Sequence, residues 1–392
     1  MGLSDWSALL GRWSYGGRVI EIVRSGDDVL VISSGVPRDL APRLEPVDST
    51  DPTAPAVIRG GPYHGLTVTT VEREGRSHLV VGGVVALPRW DTSSRVPPVV
   101  GLPAPAVEVT PDTERAYRQL LDQVRAAHGA QVRSPVGVAL GSWIRWLTDQ
   151  QVVLFHGSPD GAIAQLLPRR TSYELNDEAG RGNLGAVYAT DDGWWATWFA
   201  VVDRARLRGS IRSNVEYFTT ADGFRLPVYW FSVDHRELPN RPWRDGWLYV
   251  LGRQTFERLP VVPGGPPSHE WCSREAVRPL ARIPVASTDF PFLHQVGGHD
   301  DGDLLHFEDL ADVVHGHTLE TRHTDRGVVF RLSWNDDLAM AADEYLRLAH
   351  KWMPEVHREI RHDADGVTWL HLDTSPGLVA MVQNRYPDTV SG

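Results

Sequence analysis

The stretch VVLFHGSP at residues 152–159 places the strongest constraint on the fold. Val152 to Phe155 are all apolar, which is typical of a short strand buried on both faces. Polar and glycine residues follow at once, so we expect the strand to stop at His156, Gly157 and Ser158. The sequence therefore predicts a buried strand that stops at a His-Gly-Ser group.

A second strand is predicted at Ala186–Ala189, and it runs into a helix capped by Thr190 or Asp191. Large apolar side chains recur along this helix at helical spacing: Trp194, Trp195, Trp198, Phe199 and Val202. A stripe of this kind is typical of a helix face in the core. We assign these residues to packing, not to a ligand.

Later strands are predicted at residues 228–233 and 247–250, and strand and turn at 270–284. Glu270 stands near the start of the last segment, so we expect it to open a strand. Residues 151–300 are therefore predicted to form a central α+β domain.

Residues 1–98 are predicted to be an antiparallel β domain, a small barrel or sandwich. Val19–Val23 and Val29–Ile32 flank a glycine-containing loop, and Leu66–Val71 and Leu79–Val81 form a second hairpin. Its role is left open between a recognition module and a stabilising appendage.

Residues 99–150 are predicted to be a proline-rich linker and helical connector. A helix begins there with Thr110 as N-cap and Pro111 at its first position. Residues 301–392 are predicted to be a C-terminal α+β unit with strands near 328–332 and 367–372. The whole chain is thus expected to be a multidomain α+β protein.

The composition narrows the classes of function. Thirty-nine lysines and arginines face 50 acidic residues, so we expect no general affinity for nucleic acid or for an anionic membrane. The single cysteine, Cys272, excludes an intrachain disulfide and a multi-cysteine zinc site. No apolar run reaches the ~20 residues of a membrane span. The N-terminus lacks a basic signal region, so a cytoplasmic location is expected.

Two clusters of polar residues could each form a binding site or an ordinary solvated surface. Histidines and acids crowd residues 294–323, but their order matches no H-E-x-x-H or EF-hand pattern, so we predict a solvated acidic loop and no metal. Four arginines lie within residues 204–212 and are left open between a phosphate site and a solvated face.

The order of motifs in the central region resembles the ADP-ribosyltransferase superfamily. A strand with His156-Gly157-Ser158, a strand with Tyr188 and Thr190, a helix, and a late Glu270 occur in that order. The pattern is most similar to the His-Tyr-Glu branch, which includes diphtheria toxin and the poly(ADP-ribose) polymerases. The resemblance covers residues 152–291, and it implies a split β-sheet catalytic domain.

This resemblance implies that NAD+ is the substrate and that His156, Tyr188 and Glu270 are the catalytic residues. His156 is expected to anchor the adenosine ribose, and Tyr188 to stack on the nicotinamide ring. The backbone of Gly157 and the hydroxyl of Ser158 are expected to contact the carboxamide, with Thr190 also in the NAD+ site. Glu270 would bond a ribose hydroxyl and stabilise an oxocarbenium-like transition state.

Several alternatives remain open. Ser268 stands where the arginine-modifying branch has Glu or Gln, which argues against arginine as acceptor. The acceptor is an unidentified protein or nucleic acid, and NAD+ hydrolysis uses the same residues. An RNA 2′-phosphotransferase would need arginines in the site, and a degenerate domain would bind only a nucleotide or a protein. Glu257 and Glu275 are alternative catalytic acids.

Overall fold

The computed structural model describes residues 6–48, 54–73, 75–169, 174 and 182–389. It contains both α-helices and β-sheets, so the predicted α+β class is confirmed. The chain forms two compact units, one of residues 1–167 and 187–300 and one of residues 168–186 and 301–392. No helix in the described residues is long and apolar enough to cross a membrane.

The N-terminal region is a single antiparallel sheet in which each strand pairs with the next along the chain. Its strands are β1 (Gly11–Tyr15), β2 (Arg18–Ser25), β3 (Asp28–Ser33), β4 (Arg43–Pro46), β5 (Ala56–Arg59), β6 (Thr67–Arg73), β7 (Arg76–Val81) and β8 (Val85–Pro88). Gly26, at φ +64°, lies in the two-residue turn between β2 and β3. Both predicted hairpins are confirmed.

The sheet closes on itself where β1 meets the end of β8. Trp13 bridges Arg89, whose guanidinium lies 4.1 Å from the centre of the Trp13 ring and donates to the carbonyls of Ala8 and Leu10. Trp13 is fully buried and fills the interior together with aliphatic side chains from β2 to β8. The structure is thus a closed barrel, because pairing of the first and last strands removes both edges.

The rest of this unit has hydrophobic cores of its own, separate from the core of the barrel. Its elements are β9 (Leu102–Pro103), α1 (Pro111–Ala126), α2 (Leu140–Gln150), β10 (Leu154–Ser158), β11 (Val187–Thr190), α3 (Gly193–Val201), β12 (Ile211–Thr219), β13 (Arg225–Asp234), β14 (Gly246–Leu251), β15 (Glu257–Pro260), β16 (Pro267–Ser273), β17 (Ala281–Val285) and β18 (Gly297–His299). The predicted cap of α1 is confirmed: the Thr110 hydroxyl accepts from the Thr113 N–H.

Two sheets carry these strands. One has the order β15-β16-β11-β10-β14-β17 and is antiparallel throughout, and the other has the order β12-β13-β18 with β9 also on β13. Helices α1, α2 and α3 pack against both sheets and share one aromatic core with them. Its largest members include Trp143 of α2, Trp198 of α3 and Phe231 of β13. The aromatic stripe of α3 belongs to this core as predicted, except that Phe199 is 37% exposed.

Residues 99–105 differ from the expected linker. Leu102 and Pro103 pair with β13, and the Gly101 N–H donates to the Ser34 carbonyl. A Cβ at Gly35 would lie 2.0 Å from the Gly101 oxygen, so the two backbones are in direct contact. These residues therefore join the barrel to the second sheet instead of spacing them apart.

The second unit is an α+β arrangement in which helices cover one antiparallel sheet of order β19-β20-β22-β21. Its elements are α4 (Gly302–Gly316), β19 (Thr318–Thr324), β20 (Gly327–Leu332), α5 (Asp336–Trp352), β21 (Val356–His362), β22 (Thr368–Thr374) and α6 (Pro376–Arg385). The predicted acidic loop is wrong, because α4 occupies half of it and buries Leu304, Phe307 and Val314 in the core.

Candidate functional site

Three neighbouring strands carry the three predicted catalytic residues. Glu270 lies on β16, Tyr188 on β11 and His156 on β10, and these strands are adjacent in the order β16-β11-β10. Thr190 pairs with Glu270 on one side and with Phe155 on the other. The chain segments that sequence order alone linked are therefore neighbours in one sheet.

Strands β10 and β11 separate after a single pair. Their pairing consists of Phe155 with Thr190, whereas β10 pairs with β14 over five residues and β11 with β16 over four. The predicted end of the first strand is wrong in detail: β10 continues through His156, Gly157 and Ser158, because β14 goes on pairing with it. The sheet is thus split beside the His-Gly-Ser group.

The peptide groups of Gly157 point into this split. The Leu280 N–H donates to the Val250 carbonyl, which therefore points away from β10. Peptide groups alternate in direction along an antiparallel strand, so those of Tyr249 and His156 face each other. The N–H and C=O of Gly157 consequently point the other way, toward β11.

His156 bridges the split with its side chain. Its Nδ1–H donates to the Tyr188 carbonyl oxygen at 2.8 Å, which fixes the ring tautomer with the proton on Nδ1. Burial lowers the pKa of His156, although the bond to Tyr188 opposes this shift. The ring is therefore neutral at neutral pH, with the Nε2 lone pair available as an acceptor.

The predicted residues do not all share one face of the sheet. Side chains alternate along a strand, and the register places Gly157, Tyr188, Thr190 and Glu270 on the face that α3 covers. His156 and Ser158 lie on the opposite face, where the His156 ring centre is 6.4 Å from that of Tyr249. The sheet thus places the Tyr188 and Glu270 side chains on one face, whereas His156 contacts only the backbone carbonyl of Tyr188.

The glycine and the two hydroxyl groups have local structural partners. A Cβ at Gly157 would lie 1.9 Å from the Ala196 carbonyl oxygen, so α3 packs directly on this glycine. The Ser158 oxygen accepts from the Asp160 N–H, and the Thr190 oxygen accepts from the Asp192 N–H. Each hydroxyl keeps its own proton for donation.

Asp191 is a central residue of the site that the sequence analysis did not identify. Its fully buried carboxylate accepts from His269 Nδ1 at 2.6 Å and from Trp271 Nε1 at 3.2 Å, and Arg258 Nη2 lies 3.4 Å away. Burial on its own would raise the pKa of Asp191, but the bond from His269 and the nearby cation hold it below its usual range. Asp191 is therefore ionised.

Asp192 is a second buried carboxylate, and it, not Thr190 or Asp191, caps α3. Its carboxylate accepts from the Trp195 N–H at 2.8 Å. It also accepts from the Tyr217 hydroxyl and from the Tyr229 hydroxyl, both at 2.7 Å. Burial and the adjacent carboxylate raise the pKa values of both tyrosines well above the usual range. The Tyr217 ring also stacks on His269, with centres 4.2 Å apart, so the two aspartates share one polar network.

Glu270 lies in the middle of β16, so the expectation that it opens the strand is wrong. Glu257 pairs with Cys272 on the neighbouring strand and lies on the same face, but it is exposed. Glu275 follows the strand, where its N–H donates to Ser273. Ser268 is buried and donates to the Leu259 carbonyl, which satisfies its hydroxyl within the sheet.

The other polar clusters have different partners. Asp234, His235 and Asp300 are close enough to share a cation, but the Arg236 guanidinium already bonds both carboxylates. Two of the four arginines in residues 204–212 bond within the protein: Arg206 donates to the Asn240 carbonyl, and Arg212, in β12, donates to the Ser210 hydroxyl.

Comparisons with protein-family models, with curated proteins and with solved structures give no match to this chain.

Proposed function

We propose that this protein cleaves NAD+ and transfers the ADP-ribose group to an acceptor. The observation that carries the proposal is the placement of His156, Tyr188 and Glu270 on three adjacent strands beside a split in the sheet. Residues far apart in the chain meet there in the order that the His-Tyr-Glu resemblance requires.

Gly157 supplies the recognition of the nicotinamide carboxamide. A carboxamide has an N–H donor and a carbonyl acceptor, and a backbone N–H and C=O that point the same way can bond both. Gly157 presents such a pair toward the opening between β10 and β11. Tyr188 lies on the neighbouring strand, and its ring offers a stacking surface for the nicotinamide.

Glu270 stabilises the charge that forms in the reaction. The bond between ribose C1 and the nicotinamide nitrogen breaks, and its electron pair leaves with neutral nicotinamide. The positive charge then lies on the ribose, where a fixed carboxylate stabilises it more than it stabilises the ground state. The acceptor oxygen or nitrogen forms the new bond to C1 and releases one proton.

A binding module without catalysis is the second candidate. The His156 Nδ1 already bonds the Tyr188 carbonyl, and the Ser158 and Thr190 oxygens accept backbone N–H groups. These polar groups therefore already have partners within the fold, which is consistent with a structural role for the same residues. Such a domain would bind a nucleotide at the split without releasing nicotinamide.

One incubation separates these functions. The purified chain is mixed with NAD+ and with candidate acceptors, and free nicotinamide, free ADP-ribose and the mass of each protein are measured. Nicotinamide release with a mass increase of one ADP-ribose on an acceptor supports transfer. Nicotinamide with free ADP-ribose supports hydrolysis, and saturable binding without nicotinamide supports the binding module. Absence of both binding and release would exclude all three.

A further inference from the structure

We propose that Asp191 is a positioning residue for Glu270, and this inference rests on the proposed function. The Asp191 carboxylate bonds the side chains of His269 and Trp271, which are the residues immediately before and after Glu270. One fully buried group, directly after β11, thus holds both neighbours of the proposed catalytic acid on β16.

The alternation of strand side chains gives this contact its effect. His269 and Trp271 point to the face of Asp191, so Glu270 between them points to the opposite face. With both flanking side chains fixed, the backbone of Glu270 cannot rotate without breaking a bond to a buried carboxylate. Asp191 therefore sets the direction of the Glu270 side chain from behind the sheet.

Arg258 adds a third point of attachment. Its Nη2 lies 3.4 Å from Asp191, and its Nε donates to the Ser268 carbonyl, two residues before Glu270. Ser268 in turn accepts from the Glu270 N–H at 3.1 Å. Ser268, His269 and Trp271, which surround Glu270, are therefore each held by a hydrogen bond. Asp191 bonds two of these residues directly, His269 and Trp271.

The position of the Glu270 carboxylate matters because, in the proposed reaction, it stabilises a positive charge that forms at one place, the ribose. A shift of ~1 Å in such a group can cost ~10²-fold in rate. NAD+ recognition by Gly157 and Tyr188 does not depend on the bonds of Asp191. Loss of the Asp191 bonds is therefore expected to lower kcat and to leave the affinity for NAD+ nearly unchanged.

Asp191→Asn is the informative variant. An asparagine keeps the shape, but its amide nitrogen cannot accept a bond from His269 or Trp271. We expect kcat for nicotinamide release to fall by about 10- to 100-fold, with KM within about twofold. Asp234→Asn is the matched control, since Asp234 is equally buried and ion-paired but belongs to β13. It should leave kcat and KM unchanged.

A double-mutant cycle separates positioning from general loss of stability. If Asp191 acts through Glu270, Asp191→Asn should have almost no further effect on kcat in a Glu270→Gln background. Multiplicative effects of the two changes, or an unchanged kcat in Asp191→Asn alone, would overturn the inference.

Amide hydrogen exchange tests the same contact without reference to activity. Exchange over residues 268–273 should accelerate in Asp191→Asn and remain as in the unmodified chain in Asp234→Asn. If the unmodified chain releases no nicotinamide but this change in exchange is found, the proposed function fails and the contact of Asp191 with β16 stands. If nicotinamide is released but exchange at 268–273 is unchanged, the positioning role fails alone.

Discussion

The Nδ1–H of His156 donates to the backbone carbonyl of Tyr188 at 2.8 Å, at the place where β10 and β11 stop pairing. A side-chain hydrogen bond thus takes the place of the backbone hydrogen bonds that would otherwise join the two strands here. The ring spans the split and holds Tyr188 at a fixed distance from β10. The opening beside Gly157 is therefore part of the folded structure and does not need a ligand to form.

Glu270→Gln is expected to lower kcat for nicotinamide release by ~10²–10³-fold with little change in NAD+ affinity. Glutamine keeps the shape and the hydrogen bonding but removes the charge that, in the proposed reaction, stabilises the ribosyl cation. Initial rates over a range of NAD+ concentrations measure both parameters. Glu257→Gln and Glu275→Gln are the controls and should be nearly silent. If either abolishes turnover while Glu270→Gln does not, the catalytic acid is misassigned.

Tyr188→Ala is expected to weaken NAD+ binding by at least roughly two- to twelvefold, because ring stacking contributes about 0.5–1.5 kcal/mol beyond burial. Tyr188→Phe keeps the ring and should bind nearly as well as the unmodified chain. Isothermal titration of the three proteins compares their affinities. Equal affinity in Tyr188→Ala would rule out stacking by this residue.

Much of the local structure follows from sequence patterns. Thr110 and Pro111 mark the start of α1, and the alternating strands around Gly26 mark the first hairpin; the structure confirms both. These signals involve residues that are neighbours in the chain. Local propensity and capping therefore suffice to find them.

The arrangement of the site could not be read in the same way. The pairing of Thr190 with Glu270 joins β11 to a strand far along the chain, and it decides which side chains share a face. A shift of one residue in this register would exchange the two faces. The sequence indicates Asp191 only as a possible helix cap, because its contacts with His269 and Trp271 form only when β16 pairs with β11. The signal in the sequence is that His269 and Trp271, whose rings both carry N–H donors, flank Glu270. Two such donors on one face of a strand indicate a shared acceptor, which is Asp191.

Gly157→Ala is expected to destabilise the first unit by about 1–3 kcal/mol, since the new Cβ overlaps the Ala196 carbonyl oxygen and α3 must shift. Denaturant unfolding measures the loss. Gly185→Ala is the control, because a Cβ there meets nothing within 4 Å. An unchanged stability in Gly157→Ala would show that α3 does not pack on β10 as closely as described.

The second unit is expected to lose stability in acid through His315. Burial, together with Arg358 and Arg385, lowers the pKa of His315 to about 4, and its buried Nδ1 has no hydrogen-bond partner within the described residues. The unfolded chain takes up this proton near pH 6.5. Above that pH the group contributes no pH dependence; between pH 6.5 and 4 stability falls, by about 3 kcal/mol in all.

Replacement of this histidine isolates its contribution. His315→Phe keeps an aromatic ring against Phe330 and Tyr386 and should flatten the decline between pH 6.5 and 4. His350→Gln, at an exposed position of α5, should leave the decline as it is. Hydrogen exchange of α4 and β20 across this pH range provides the measurement. An identical decline in His315→Phe would assign the acid sensitivity to other groups.

The barrel and the second sheet are expected to depend on a buried ion pair between Arg18 and Glu216. Arg18 Nη2 lies 2.6 Å from Glu216 Oε1, and the exposures of the two side chains are 3% and 5%. The guanidinium is also 4.3 Å from the Tyr15 ring centre and 4.4 Å from that of Trp230. Burial alone would lower the pKa of Arg18, but Glu216 holds it above its usual range.

Arg18→Met should cost about 3–5 kcal/mol, because it leaves the Glu216 carboxylate buried without its cation. The double variant Arg18→Met/Glu216→Met removes both charges and should recover most of that loss, since a buried ion pair and an apolar pair of similar volume are often equally stable. Denaturant unfolding of the three proteins gives the free energies. A double variant no more stable than Arg18→Met would contradict this account, because the loss would then come from packing against Tyr15 and Trp230 and not from an unpaired charge.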